Sequence, residues 1–82
     1  MSYRIVVGRS ADRSLRRRVP PERAEQIRGA IDSLSKVPRP RQSQALRGRR
    51  LRVGDYRTIY EVDDDRRKVF VAEVWHRQRG YR

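Results

Sequence analysis

The run Leu51-Arg52-Val53-Gly54-Asp55-Tyr56-Arg57-Thr58-Ile59-Tyr60 decides the fold. Around Gly54-Asp55 the side chains change character at nearly every step, which is the period of a pleated strand and not of a helix. Leu51 and Val53 alternate with Arg50 and Arg52. Tyr56, Thr58, Tyr60 and Val62 fall on one side of the next strand, and Arg57, Ile59 and Glu61 on the other. Gly54-Asp55 reads as a tight turn, with glycine where positive φ is needed. The stretch is therefore an antiparallel hairpin that carries an arginine within an apolar strand.

Toward the C-terminus, Asp63-Asp64-Asp65-Arg66 forms the next turn, a solvated one in preference to a metal run. Lys68 to His76 is the most apolar strand and is expected at the centre of the sheet. It runs directly into Arg77-Gln78-Arg79-Gly80-Tyr81. An apolar strand normally ends in turn residues. This one ends in imidazole, guanidinium and phenol groups, held at a rigid edge where phosphate chemistry can use them. Six residues follow His76, too few for a packed helix.

Toward the N-terminus the period changes. Tyr3 to Val7 reads as a strand closed by Gly8. Ser10 is the expected cap of a short helix, Ala11 to Arg18, which Pro20-Pro21 breaks. Pro21 suits the first turn of a second helix, with Glu22 and Glu25 near its positive end. Ala24, Ile27, Ile31 and Leu34 recur at three- and four-residue spacing and make one apolar stripe. Val37-Pro38-Arg39-Pro40 ends that helix. The expected order is β-α-α-β-β-β, an α+β fold with a helical hairpin on one face of a small, mainly antiparallel sheet.

Eighty-two residues are expected to make one domain. With no cysteine and one histidine, disulfide frameworks and cysteine- or multi-histidine-based metal sites are excluded. No cofactor is expected. The longest apolar run, Val69 to Trp75, is interrupted by Glu73 and is far shorter than a membrane span. The first residues lack the order of a signal peptide, so the expectation is a cytoplasmic protein with no membrane partner.

The net charge of +12 is large for this length. Twenty of the twenty-two basic residues are arginine, Lys36 and Lys68 being the exceptions. The charge is not a tail: residues 1–42 hold eleven basic and four acidic side chains, and residues 43–82 hold eleven and six. Such a surface points to a polyanion, either nucleic acid or a dedicated acidic protein that masks it.

Helices cover one sheet face, and the strand period says what the other carries. Arg57 lies with Ile59 and Glu61, and Arg77 with Trp75 and Glu73. Arg50 and Arg52 on the neighbouring strand join them. Guanidinium forks bind phosphate oxygens and stabilise charge that develops in phosphoryl transfer. A tryptophan beside them stacks an unpaired base. Arg47, Arg49 and Arg79 extend the basic surface. The plainer readings are solvated charge for Arg47, Arg49 and Arg52, and packing for Trp75. Glu73 is expected to pair with a neighbouring arginine. His76 alternates opposite to Arg77, so it either faces the helices or serves in acid–base chemistry, for which its side chain is suited near neutrality.

These motifs resemble a known family. Leu46-Arg47-Gly48, the Leu51 to Arg57 hairpin with Tyr60, and Val74-Trp75-His76-Arg77 followed by Tyr81 are similar to the RelE branch of the RelE/ParE toxin superfamily. The order of elements is similar too, so the resemblance spans essentially the whole chain. It implies a ribosome-dependent, metal-independent endoribonuclease that cuts mRNA and is held inactive by a cognate acidic antitoxin in a heteromeric complex. The implied chemistry is attack of a 2′-hydroxyl on the adjacent phosphate. By the same resemblance Arg57 matches the arginine that stabilises the transition-state phosphate. Arg77 matches a second phosphate-binding arginine, and Tyr81 the terminal tyrosine that stacks on or activates the nucleotide. Arg50 falls where relatives place a basic residue implicated in proton transfer, and Gly48 where some carry a second lysine. Arginine does not readily exchange its proton, which leaves His76 as the acid–base candidate, with Tyr81 as the alternative. Other branches of the superfamily poison DNA gyrase, and a small RNA-binding module is a third reading.

Overall fold

Ile5, Val6 and Val7 are β-branched and stiff, and they build the first strand, β1 (Arg4–Val7), in a computed structural model that describes residues 2–41, 43–45 and 48–78. Helix α1 (Arg9–Arg17) follows at once. Its N-cap is Gly8, so Ser10, expected as the cap, lies inside the first turn. The reason is steric. Gly8 N–H donates to Val71 O at 2.7 Å, and a Cβ at Gly8 would stand 2.7 Å from Phe70 Cζ and 2.9 Å from Val71 O. Only glycine allows the chain to leave the sheet this closely.

Helix α2 (Pro21–Ser33) begins at the proline that the sequence placed in its first turn, with Pro20 as N-cap. Four strands come next: β2 (Ser43–Ala45), β3 (Arg49–Val53), β4 (Tyr56–Asp63) and β5 (Lys68–His76). Strand β2 is an addition to the expected order. Its three residues carry no β-branched or aromatic side chain, so local propensity does not announce it. Pairing with β3 holds it, together with Arg49, whose Nε and Nη2 donate to Ser43 Oγ at 3.2 and 2.7 Å.

The strands form one sheet in the order β1-β5-β4-β3-β2, parallel between β1 and β5 and antiparallel elsewhere. The middle place is therefore that of β4. The expectation that β5 is central holds only in that β5 is an interior strand. Gly54, with φ of +58°, occupies the first turn position between β3 and β4, the place a two-residue hairpin reserves for glycine.

The core lies between the sheet and the helices. Ala11, Leu15 and Val19 from the first helix and its end meet Ala24, Ile27, Ile31 and Leu34 from the second. Leu51, Tyr56, Tyr60, Val69, Val71 and Val74 rise from the sheet to meet them. Tyr60 is fully buried, and its hydroxyl donates to Pro38 O at 2.8 Å. That bond fixes the proline segment that ends the helical hairpin. Among the described residues no helix is long and apolar enough to cross a membrane.

Two further features shape the sheet. Ile59 pairs with Glu73 but Tyr60 pairs with Val71, so Ala72 is an unpaired, bulged residue. The bulge allows Val69, Val71 and Val74 all to face the core, which strict alternation forbids. At the β4–β5 turn, Asp64 receives a bidentate Arg39 at 3.1 and 2.8 Å and the Tyr3 hydroxyl at 2.6 Å. The Arg39 and Tyr3 hydrogen bonds hold the Asp64 carboxyl down at about 2, and Tyr3 is pushed up chiefly by the same bond. The aspartate turn thus clips the N-terminal strand to the segment after α2.

Candidate nucleic-acid interface

Cross-strand partners share a face of the sheet. The register therefore assigns each side chain of β3, β4 and β5. Leu51, Thr58 and Val74 form one row toward the helices, and Arg49, Tyr60 and Val71 another. The intervening rows face away from the helices. In one, Arg52 stands opposite Arg57, and Arg57 opposite Trp75. In the next, Arg50 stands opposite Ile59, and Ile59 opposite Glu73. Strands lie about 4.8 Å apart, so each row brings its side chains into mutual reach.

The electrostatics of these rows are unusual for a sheet. Like charges directly opposed across strands are destabilising. Arg52 and Arg57 are so opposed, and neither makes an ion pair among the described residues. Arg50 has its Nε buried with no hydrogen-bond partner there. Arg57 and Arg50 are half-buried, and the register sets Ile59 opposite Arg50 and Trp75 opposite Arg57. Three donors arranged in this way, beside an indole, suit a phosphate and the base attached to it.

Arg77 reaches the same end of the sheet by a different route. It lies just past the end of β5, where its backbone N–H donates to Asp55 O at 2.8 Å. Its Nε stands 3.7 Å from Asp55 Oδ1 at the β3–β4 turn, with both side chains exposed. Across one strand pair, Tyr56 and His76 are partners, so Arg77 follows directly on the row that ends beside Trp75.

The sequence family described as the ParE toxin of the type II toxin–antitoxin system parDE matches residues 9–81. The chain belongs to this toxin family. Among solved structures, the toxin of the RelBE2 toxin–antitoxin complex from Mycobacterium tuberculosis is 28% identical, with a TM-score of 0.83 over 94% of this chain and all of that one. The free Escherichia coli toxin RelE, solved as an arginine-to-alanine double variant, is also 28% identical, with a TM-score of 0.71 over 90% of this chain and 82% of that one. The archaeal RelE of Pyrococcus horikoshii, in a RelE–RelB complex, is 24% identical and shares the fold, with a TM-score of 0.80 over 98% of this chain and all of that one. No curated protein sequence matches the chain. The toxin is thus a type II toxin of the RelE/ParE superfamily, with structural neighbours on the RelE branch.

In this toxin the structure gathers Arg50, Arg52, Arg57 and Trp75 on the open face, with Arg77 at its end. It does not bring His76 to them. His76 occupies the helix-facing row, edge-on to the Tyr56 ring with centroids 5.1 Å apart, and its Nδ1 accepts the Gln78 N–H at 3.2 Å. Of the two readings of His76, its orientation follows the one toward the helices. Arg49, counted with the basic binding surface, also faces the helix side and is committed to Ser43. Its neighbour in sequence, Arg50, takes the open face by strand alternation. Arg47, Arg79 and Tyr81 lie outside the described residues.

Among the described residues Glu73 makes no ion pair. Expected to pair with an arginine, it instead accepts the Trp75 indole N–H on Oε1 at 3.1 Å. Trp75 is two residues along the same strand and on the same face, while the residue directly opposite Glu73 is Ile59, not an arginine. The available signal was the pair itself: a carboxylate and an indole spaced by two in a strand share a face.

Proposed function

We propose that this toxin is an endoribonuclease that cuts mRNA on the ribosome, and that the open sheet face is its RNA site. The observation that carries the reading is the Arg52–Arg57 couple beside Trp75, without an ion-pair partner among the described residues. A protein that places two arginines directly opposite one another without an acid between them gives up stability, and an RNA phosphate is the anion that restores the balance. Trp75 then serves as the platform for a neighbouring base. The reaction is transfer within the RNA. The 2′-oxygen bonds to phosphorus and the bond from phosphorus to the 5′-oxygen breaks. The 2′-hydroxyl gives up a proton, the departing oxygen gains one, and a 2′,3′-cyclic phosphate remains. Arginines do not carry those protons. They hold the phosphate and neutralise the charge that grows on it, with Arg57 central because it has Arg52 on one side and Trp75 on the other.

The ribosome supplies orientation in this account, and naked RNA is expected to be cut slowly. The cytoplasm is the compartment where both occur. The partner that restrains the toxin is an acidic antitoxin, as charge complementarity to a +12 surface requires and as the RelB complexes of the structural neighbours suggest. A second reading, inhibition of DNA gyrase, draws on the ParE name of the matching family.

Inducible expression followed by primer extension on cellular mRNA separates the two. New 5′ ends within coding regions, absent on expression of Arg57→Ala, are the expected result. Growth arrest with intact mRNA and loss of supercoiling in a purified gyrase assay would favour the second reading.

A further inference from the structure

The open face of the toxin carries a base as well as its cations, and we propose that Glu73 accepts the proton of the attacking 2′-hydroxyl. The inference rests on the nuclease reading above and deepens it. Four observations lead to it. The bulge at Ala72 turns Glu73 away from the core that Val69 and Val71 enter, onto the face that holds the arginines. There it stands opposite Ile59, with Arg50 beyond, and on the diagonal from Arg57, whose direct partner is Trp75. Diagonal neighbours of this kind are about 7–8 Å apart at their backbones, a gap that a bound phosphodiester fills. Although arginines surround it, Glu73 makes no ion pair among the described residues. Its Oε1 is held by the Trp75 indole N–H, and Oε2 has no partner among the described residues.

Chemistry narrows the choice. Arg50, Arg52 and Arg57 donate hydrogen bonds and accept none. His76 lies on the other side of the sheet, beside Tyr56. Asp55 is engaged with Arg77 at the turn. Glu61 shares the open face but stands opposite Phe70, two rows away from Arg57 and Trp75. Among the described residues that leaves Glu73 as the proton acceptor beside the phosphate site, with its orientation set by the same indole that stacks the base. In the step, a Glu73 carboxylate oxygen takes the 2′-hydroxyl proton as the 2′-oxygen bonds to phosphorus. The phosphorus–5′-oxygen bond breaks, the departing oxygen takes a proton from water, and the Glu73 carboxylic acid returns its proton to solvent.

The test uses purified toxin and mRNA-programmed ribosomes under single-turnover conditions, with binding measured on mRNA carrying a 2′-deoxynucleotide at the cleavage position. Glu73→Gln is expected to slow cleavage about 100-fold or more, as removal of a general base does. Its affinity for the deoxy complex should be equal or tighter, because a negative charge has left the phosphate site. Glu73→Asp keeps the charge but retracts the carboxylate, and an intermediate rate is expected from it. Cleavage by Glu73→Gln within about threefold of wild type would overturn the inference, since general bases contribute far more. So would a slow rate explained by a parallel loss of affinity. If Glu73→Gln fails to fold, Glu73→Asp decides: a rate equal to wild type shows that charge alone matters and overturns it. Failure of the wild-type toxin to cleave at all would overturn the nuclease reading, whereas cleavage by wild type and Glu73→Gln alike overturns this inference alone.

Discussion

Arg39 and Arg57 are both partly open arginines, yet the molecule treats them in opposite ways. Arg39 has a bidentate carboxylate partner, Asp64, which the Tyr3 hydroxyl also grips. Arg57 has another arginine opposite it on one side and an indole on the other. The first arrangement closes on itself and serves the fold, tying β1, the segment after α2 and the β4–β5 turn together. In the second, no carboxylate among the described residues answers the charge. In a chain this basic, the sequence position of an arginine says little about its role, and the presence or absence of a carboxylate across the sheet says much.

The largest expected effect breaks the comparison at its open end. Arg57→Ala should lower mRNA cleavage by roughly 10²–10³, or about 2.7–4 kcal/mol, the scale for loss of one preorganised donor. Its melting temperature should be unchanged or raised, because a like-charge opposition is relieved. Growth arrest and thermal unfolding measured on the same variant check both halves.

The face toward the helices should behave in the reverse sense. Gly8→Ala forces a methyl against Phe70 and the Val71 carbonyl, and overpacking of this kind costs about 1–3 kcal/mol. Tyr60→Phe removes the hydrogen bond to Pro38 O and should cost about 1 kcal/mol. Both losses should appear in denaturant unfolding, while the cleavage rate of the folded fraction stays near wild type. Thr58 offers the opposite sign. Its Oγ1 is buried with no partner among the described residues, so Thr58→Val should be neutral or stabilising by up to about 1 kcal/mol.

The smallest effect concerns the closed arginine. The folded Asp64 carboxyl sits at about 2, below its ordinary 3.8. A depressed carboxylate stabilises the fold above the ordinary value, and that contribution fades as pH falls from there to about 2. Carboxyl-resolved NMR titration should find the midpoint near that low value in wild type and shifted up in Arg39→Ala. Between pH 5 and pH 2 the stability gap between wild type and Asp64→Asn should narrow, and toxicity should not respond to either variant.

Much of this was legible from residues alone. The Gly54-Asp55 hairpin, the Pro21 helix start and the Ala24–Leu34 stripe each rest on local chemistry that the tertiary structure did not override. The open-face assignment of Arg50, Arg52, Arg57 and Trp75 also followed from the period of two. What was not legible depends on pairing between distant segments. Strand β2 exists because β3 and Arg49 hold it, not because of its own side chains. Gly8 displaced Ser10 as the cap because Phe70 and Val71, sixty residues away, approach its backbone. The bulge at Ala72 is a property of two strands together, and it lets Val69 and Val71 share the core with Val74 while Glu73 keeps the open-face place that the period of two gave it. The turn aspartates read as solvated, and only the fold brings Arg39 and Tyr3 to Asp64.

The most direct test of the central claim, that the opposed Arg52–Arg57 row is the RNA phosphate site, is the cleavage rate of the Arg52→Ala, Arg57→Ala double variant on mRNA-programmed ribosomes. The variant should remain folded and lose cleavage by at least the amount expected for Arg57 alone. Wild-type cleavage by a folded double variant would contradict the account.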